Sequence, residues 1–410
     1  MRGADAFPTV AGVAAAARVL TLRHPDLCRM RLAGESRSGR PLWLLSVGHP
    51  RRGGRRVLVV AGANGDEQAG GGTVMWLAEQ AVHDRQRLKE AGLTWDFLLC
   101  LDPDGAVLNE AGPAGPRPPA VHFRHTYRPA AAEQPEAAGS LLPAADQLPE
   151  ALALSALLDE LRPVLHCSLH GTDVGGAWVR LTGELPGLAE PFGKSAAELD
   201  IPVQTGTYEA LDSYGAGPGV FVRPAAPVRG GGPELRVEVP MWATRRVAYA
   251  EPHPDPEYVL AVLAARLRNE GATGQDTFTQ ALALLGGSCE GPLLRAVRHA
   301  VTAWERLAAD FDAIGRSAPV PLTMAHVAAF DIAARRAPLR ASGMLLRLLD
   351  EARLDEDPNS TPARLRARLE RRLDAGSGDL IAAMDAAWVP IAEQMELQAR
   401  TVLAAVAGLD

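Results

Sequence analysis

The chain reads as an α/β protein: a mixed, mostly parallel sheet flanked by helices, followed by an all-helical C-terminal region. Three observations carry this expectation. Short apolar runs such as 57–62 (VLVVAG) and 164–169 (VLHCSL) have the length and composition of strands buried on both faces. Segments of helical period alternate with them, as in a sheet whose crossovers are helices. From residue 275 to 410 helical periodicity is almost continuous and strand signals are few. The 410 residues therefore divide into an α/β domain, 1–272, and a helical region, 273–410.

Each element follows from local pattern. Residues 8–20 (PTVAGVAAAARVL) form an amphipathic helix, and 34–48 (GESRSGRPLWLLSVG) a hairpin that leads into a strand. After the strand at 57–62 a helix runs from about Glu67 to His83. Gly70, Gly71 and Gly72 lack the GK[ST] ending of a phosphate loop and sit at the start of that helix, where they permit close packing. A second buried strand, 95–101, closes at the turn Asp102-Pro103-Asp104-Gly105. The Pro-, Ala- and Gly-rich stretch 111–146 reads as a long loop. A helix over 148–161 precedes the strand 164–169, which ends at His170-Gly171. Strands over 177–182, 219–224 and 234–239 and a helix over 254–270 complete the α/β part. After Gly271-Ala272 the character changes, and we expect four or five helices, broken near Gly286-Gly287, Pro319-Pro321, Asp357-Pro358 and Gly376-Gly378.

Composition narrows the function. With 47% hydrophobic and 22% charged residues the chain is that of a soluble globular protein. A formal net charge of -7 argues against nucleic acid as a partner. Only Lys89 and Lys194 are lysines, a coding bias rather than a phosphate-binding signal. Cys28, Cys100, Cys167 and Cys289 are far apart and form no CxxC pair, so neither a zinc knuckle nor a disulfide framework is indicated. The first residues lack the basic-then-apolar pattern of a signal peptide, and no apolar stretch is long enough to span a membrane. The expected compartment is a reducing cytoplasm.

Three segments hold the residues with chemistry: Asn64-Gly65-Asp66-Glu67, Ser168-Leu169-His170-Gly171 and Arg236-Val237-Glu238-Val239-Pro240. Each lies at or near the carboxyl end of an expected strand, the edge at which open α/β sheets bind ligands. Together with GESRSGRPLWLLSVG and the turn at 102–105, these segments resemble the zinc carboxypeptidase family, in particular its bacterial branch and the related aspartoacylase-like deacylases. The resemblance covers about residues 8–270. Glu67 resembles the glutamate of the family's HxxE element, with Asn64 where the first histidine ligand stands. Asp102 takes the Asn place in the family's Asn-Pro-Asp-Gly turn. His170 resembles the third zinc ligand, and Glu238 the catalytic glutamate. Arg124 and Arg128 lie where the family carries its Asn-Arg pair for the substrate carboxylate. Tyr208 and Tyr214 fall where it keeps a mobile tyrosine.

The resemblance implies a Zn2+-dependent hydrolase that cleaves a C-terminal amino acid or a related amide from a peptide or acyl-amino acid. A catalytic zinc takes three protein ligands and one open position, lowers the pKa of its water toward about 7, and polarises the carbonyl. A nearby carboxylate then moves the water's proton to the leaving amine, the role implied for Glu238. An amide oxygen is a weaker donor than imidazole, so Asn64 weakens the set. His122, His125 and Asp66 are alternative donors; His166, on the same strand as His170 and roughly 13 Å away, is too distant.

Plainer readings stand beside these. Glu67 would also suit a first-turn carboxylate favoured by the helix dipole. Asn64 suits a turn, His170 a cap, and Glu238 a pairing with an arginine. His166 reads as a core strand histidine, Arg40 as a structural turn residue, and Arg124 and Arg128 equally as surface arginines. Two alternatives to the peptidase reading remain: a non-catalytic binding module that keeps the carboxylate pocket and uses its helical region for docking, and a deacylase or biosynthetic amide hydrolase on the same fold.

Overall fold

The computed structural model describes residues 5–49, 54–136, 143, 146–223, 230–285, 290–352, 354, 357 and 359–409. Strands β1 (Cys28–Glu35), β2 (Pro41–Val47), β3 (Arg55–Val60), β4 (Leu93–Leu98), β5 (Leu165–Gly175), β6 (Trp178–Leu181), β7 (Tyr214–Gly217), β8 (Val220–Val222), β9 (Glu234–Ala243) and β10 (Ala387–Trp388) form one sheet. Its order is β1-β2-β4-β3-β5-β9-β6-β8-β7, with β10 joined to β9. The neighbours β4, β3, β5 and β9 run parallel. Antiparallel pairs flank them: β1–β2, β2–β4, β6–β9 and β7–β8. The sheet is mixed, with its parallel block at the centre, where the site residues lie.

Strand alternation sorts the side chains into two layers. Val57 and Val59 enter a core with α1 (Val10–Arg23) and α2 (Ala69–His83), which holds the Gly70–Gly72 run. The same core takes Leu397 and Val402 of the last helix, α12 (Ile391–Ala407). Leu58 and Val60 enter a separate core with Leu154, Leu157 and Leu161 of α6 (Pro149–Leu161). Between these elements come α3 (Arg85–Ala91), α4 (Pro103–Asn109) and α5 (Pro119–His125), and later α7 (Ala189–Glu198).

The helical region comprises α8 (Pro256–Leu285), α9 (Pro292–Arg316), α10 (Met324–Glu351), α11 (Thr361–Met384) and α12. It is not simply appended. α12 returns to the sheet, where Gln398 donates to the His170 carbonyl at 2.9 Å. The short strand β10 pairs Trp388 with Trp242 of β9.

Several expectations change. The turn at 102–105 is the start of α4, with Asp102 capping the Gly105 N–H at 2.9 Å. The stretch 111–146 contains α5. Strand β5 continues past His170 to Gly175 because β9 pairs with it along that length. α8 runs unbroken through Gly271-Ala272, and α11 through Gly376-Gly378. In both, glycine serves helix packing: a Cβ on Gly274 would lie 2.1 Å from the Trp304 ring, and one on Gly376 2.8 Å from Leu339. The break at Pro319-Pro321 falls between α9 and α10. Cys28, Cys100 and Cys167 are buried free thiols; Cys289 and Gly286-Gly287 lie outside the described residues. Among the described residues no helix is long and apolar enough to cross a membrane.

Candidate functional site

The parallel register of β5 and β9 sets Ser168 beside Arg236 and His170 beside Glu238. Leu165, Cys167 and Leu169 of β5, and Leu235, Val237 and Val239 of β9, point into the core under α2 and α12. By strand alternation His170 and Glu238 therefore share the opposite face. The turn after β3 delivers Asn64 and Glu67 to the same place. Asn64, Glu67, His170 and Glu238 are all buried.

His170 is the hub. Its Nδ1 lies 2.8 Å from Glu67 Oε2 and its Nε2 lies 2.9 Å from Glu136 Oε2. The Asn64 amide nitrogen donates to Glu67 Oε1 at 2.8 Å and lies 3.4 Å from His170 Nδ1. Arg128 Nη1 donates to Asp66 at 2.7 Å and to Glu67 Oε1 at 3.0 Å. On β9, Arg236 grips Glu238 Oε1 through Nε at 2.8 Å and Nη2 at 2.7 Å.

These contacts set the charges. Burial and Arg236 work to lower the His170 pKa, but the Glu67 and Glu136 carboxylates outweigh them and hold the ring protonated well above the ordinary imidazole range. Burial works to raise Glu67, and His170 and Arg128 reverse it, so that Glu67 stays ionised below the ordinary range. Glu238 differs. Burial pushes its carboxyl above the ordinary range although Arg236 and His170 oppose this, which suits a group that must take up and release a proton.

A zinc ion, the metal implied by the sequence resemblance, takes three protein donors and an open position. Among the described residues no three of His, Cys, Asp and Glu come together as a metal-binding group. What converges is one imidazole, one carboxylate and one amide. Glu67 Oε2 is buried and its neighbour at 2.8 Å is His170 Nδ1, the atom an ion would share with it. Glu136 on the far ring nitrogen matches the carboxylate that commonly backs a metal-bound histidine. Asn64 turns its amide nitrogen to Glu67 Oε1 at 2.8 Å, so its oxygen reaches an ion only if that hydrogen bond is given up. The set offers a divalent cation two strong donors, Glu67 and His170, which pair with each other here, and a weak third in Asn64.

Beside these residues lies a cavity of about 80 Å3 lined by Glu67, Arg128, Arg236, Glu238, Arg336 and Arg340, among others. Of the residues expected to bind substrate, Arg128 and Tyr208 line it. The other two lie elsewhere. Arg124 turns to the helical region and pairs with Asp350 at 2.9 Å and Glu370 at 3.0 Å. Tyr214 is exposed on β7 and donates to Glu184 at 3.0 Å. The alternative donors also have other partners. His122 Nε2 sits 2.7 Å from Asp173, and Asp66 holds Arg128 and Arg340. His166 is buried in β5.

Sequence reasoning missed Glu136, Arg336 and Arg340. Glu136 lies in a stretch without periodicity. Arg336 and Arg340 stand one turn apart on α10, but the helix also carries Asp331, Arg335 and Arg347, so their spacing did not single them out.

Residues 13–174 match the family described as zinc carboxypeptidase. This stretch is less than half the chain; it includes Asn64, Glu67 and His170 and stops short of Glu238. Among solved structures, a metallo-carboxypeptidase from Burkholderia cenocepacia is similar at 19% identity and a TM-score of 0.36, over 55% of this chain and 59% of that one. Carboxypeptidase A from Helicoverpa armigera is similar at 15% identity and a TM-score of 0.38, over 58% of this chain and 65% of that one. The chain thus spans under two thirds of the length of either. Comparison with curated proteins finds no significant match.

Proposed function

We propose, starting from the zinc carboxypeptidase match over residues 13–174, that the chain is a metal-dependent hydrolase of an amide bond next to a C-terminal amino acid or in an acyl-amino acid. One observation carries this reading: Glu67 and His170 meet at 2.8 Å on the sheet face that also presents Glu238, directly across from His170 in the parallel register.

Glu67 and His170 would hold Zn2+, with Asn64 as a weak third ligand. When bound, the metal would supply an acidified water and polarise the scissile carbonyl. The chain's own residues do the rest. Glu238 takes a proton from the attacking water and returns it to the leaving nitrogen, a role favoured by its raised pKa. Arg236 orients it through two contacts to one oxygen. Glu136 fixes the His170 ring by accepting from Nε2. Arg128 and Arg336 present guanidinium groups to the cavity for the substrate's oxygens.

The second reading, a binding module without catalysis, is favoured by the closure of the ligand set on itself. Both His170 nitrogens already face carboxylates, and Asn64 donates to Glu67. Turnover of N-acyl amino acids and short peptides by the zinc-supplemented protein separates the two. Hydrolysis that disappears in Glu238→Gln supports the enzyme. Substrate binding with no turnover at any zinc level supports the module.

A further inference from the structure

The cavity beside Glu238 shares part of its wall with a second one. Arg128, Tyr208, Arg336 and Arg340 line it and also line a second chamber of about 430 Å3. That chamber lies between α9 and α10. On α9, Ala300, Ala303, Trp304 and Leu307 recur at helical spacing along one side, and Ala333, Ala337 and Met344 of α10 line the other. Alanines stand where larger side chains would close the gap. The volume is that of a small-molecule site, six residues of its lining are alanine or leucine, with His299, Arg306 and Asp310 among the polar ones, and the helical region builds most of it.

The junction between the chambers is cationic, and one of its cations differs from the others. Arg340 reaches Asp173 at 2.7 Å, and Arg128 reaches Asp66 at 2.7 Å. Arg336 instead donates to two hydroxyls, Thr172 Oγ1 at 3.0 Å and Tyr208 Oη at 3.2 Å, and its Nε stands 4.0 Å from Asp173. A guanidinium whose hydrogen bonds go to hydroxyls, with Asp173 4.0 Å away and already held by Arg340, is arranged to receive an anion carried on an apolar chain.

We infer that the site acts on a medium-chain acyl amide: the acyl chain lies in the second chamber, the oxygen-bearing carbon at its end is held by Arg336, and the small first chamber takes a compact amine. This names the substrate class of the proposed hydrolysis and rests on that reading for the reaction, but not for the binding. Hydrolysis adds one water across the C–N bond and yields a carboxylate and an amine. The carboxylate product is therefore a direct probe of the acyl chamber.

Calorimetric titration of the metal-free protein with octanoate, acetate and octylammonium tests the assignment. Octanoate should bind at least tenfold more tightly than acetate, because its longer chain is buried, and octylammonium should not bind. Ala303→Trp, at a half-exposed position on the chamber wall, should erase the preference for octanoate. Arg336→Gln should weaken octanoate by about fivefold or more. Equal binding of acetate and octanoate by the unaltered protein would overturn the inference, as would an octanoate preference that survives Ala303→Trp. The two readings fail separately. Octanoate binding without hydrolysis of octanoyl-amino acids sinks the reaction and keeps the chamber, whereas hydrolysis indifferent to acyl length sinks the chamber alone.

Discussion

Glu67 Oε2 and His170 Nδ1 lie 2.8 Å apart, brought together from a turn after β3 and the middle of β5. The third member of this set, Asn64, turns its amide nitrogen toward the same carboxylate. Replacing that amide with imidazole adds a strong nitrogen donor at a place already within 3.4 Å of His170 Nδ1. Asn64→His should therefore raise zinc affinity by about 10–100-fold or more, read by competition titration with a chromophoric chelator. Unchanged affinity would show that position 64 does not face the ion.

Zinc affinity should depend on pH. His170 keeps its proton above the ordinary imidazole range because two carboxylates surround it. An ion that takes Nδ1 must displace that proton. Affinity should then climb roughly tenfold per pH unit while the ring remains protonated, one proton being released per ion. Titrations in two buffers of different ionisation enthalpy count that proton; binding with no proton release would contradict the assignment of His170 as a ligand.

Glu238→Gln keeps the shape of the side chain and removes its basicity. Turnover should fall by about 100–10,000-fold with KM little changed, since the acid acts on the proton and not on substrate affinity. An equal loss in the KM term alone would move Glu238 from proton transfer to binding.

Asp102 offers a stability test away from the reaction. Burial raises its pKa to about 6 from an ordinary 3.8, although it caps α4 and accepts from the Gly65 N–H. The folded state thus holds this proton more tightly than the unfolded one. Stability falls as pH rises from 3.8 to about 6, and the full penalty is present above that window. Asp102→Asn removes the charge and keeps one oxygen on the Gly105 N–H, while the Gly65 N–H loses its acceptor, which offsets part of the gain. It should stabilise the protein by about 1–2 kcal/mol near neutrality and make little difference below about pH 4. Urea unfolding at both pH values reads the difference; equal effects at both would refute the linkage.

The reactive face was legible in the sequence where local pattern reports position. Strand period places Glu238 opposite Val237 and Val239, and the apolar run before Asn64 marks the turn that carries Glu67. The same period puts Arg236 on the side of Glu238, so their pairing follows from two residues of spacing. Glu136 was not legible, because it reaches His170 from a stretch whose path no periodicity fixes. Nor were Arg336 and Arg340, since their place depends on α10 folding back over the sheet. Arg124 and Tyr214 were sought at the site by order along the chain, but the first is drawn to Asp350 and Glu370 and the second stays on the exposed strand β7.

Equilibrium dialysis against zinc near neutral pH, with metal content measured per chain, bears most directly on the whole account. We predict close to one zinc per molecule in the unaltered protein at saturating metal, and its loss in both Glu67→Ala and His170→Ala. Zinc retained by both variants, or no stoichiometric zinc in the unaltered protein, would contradict it.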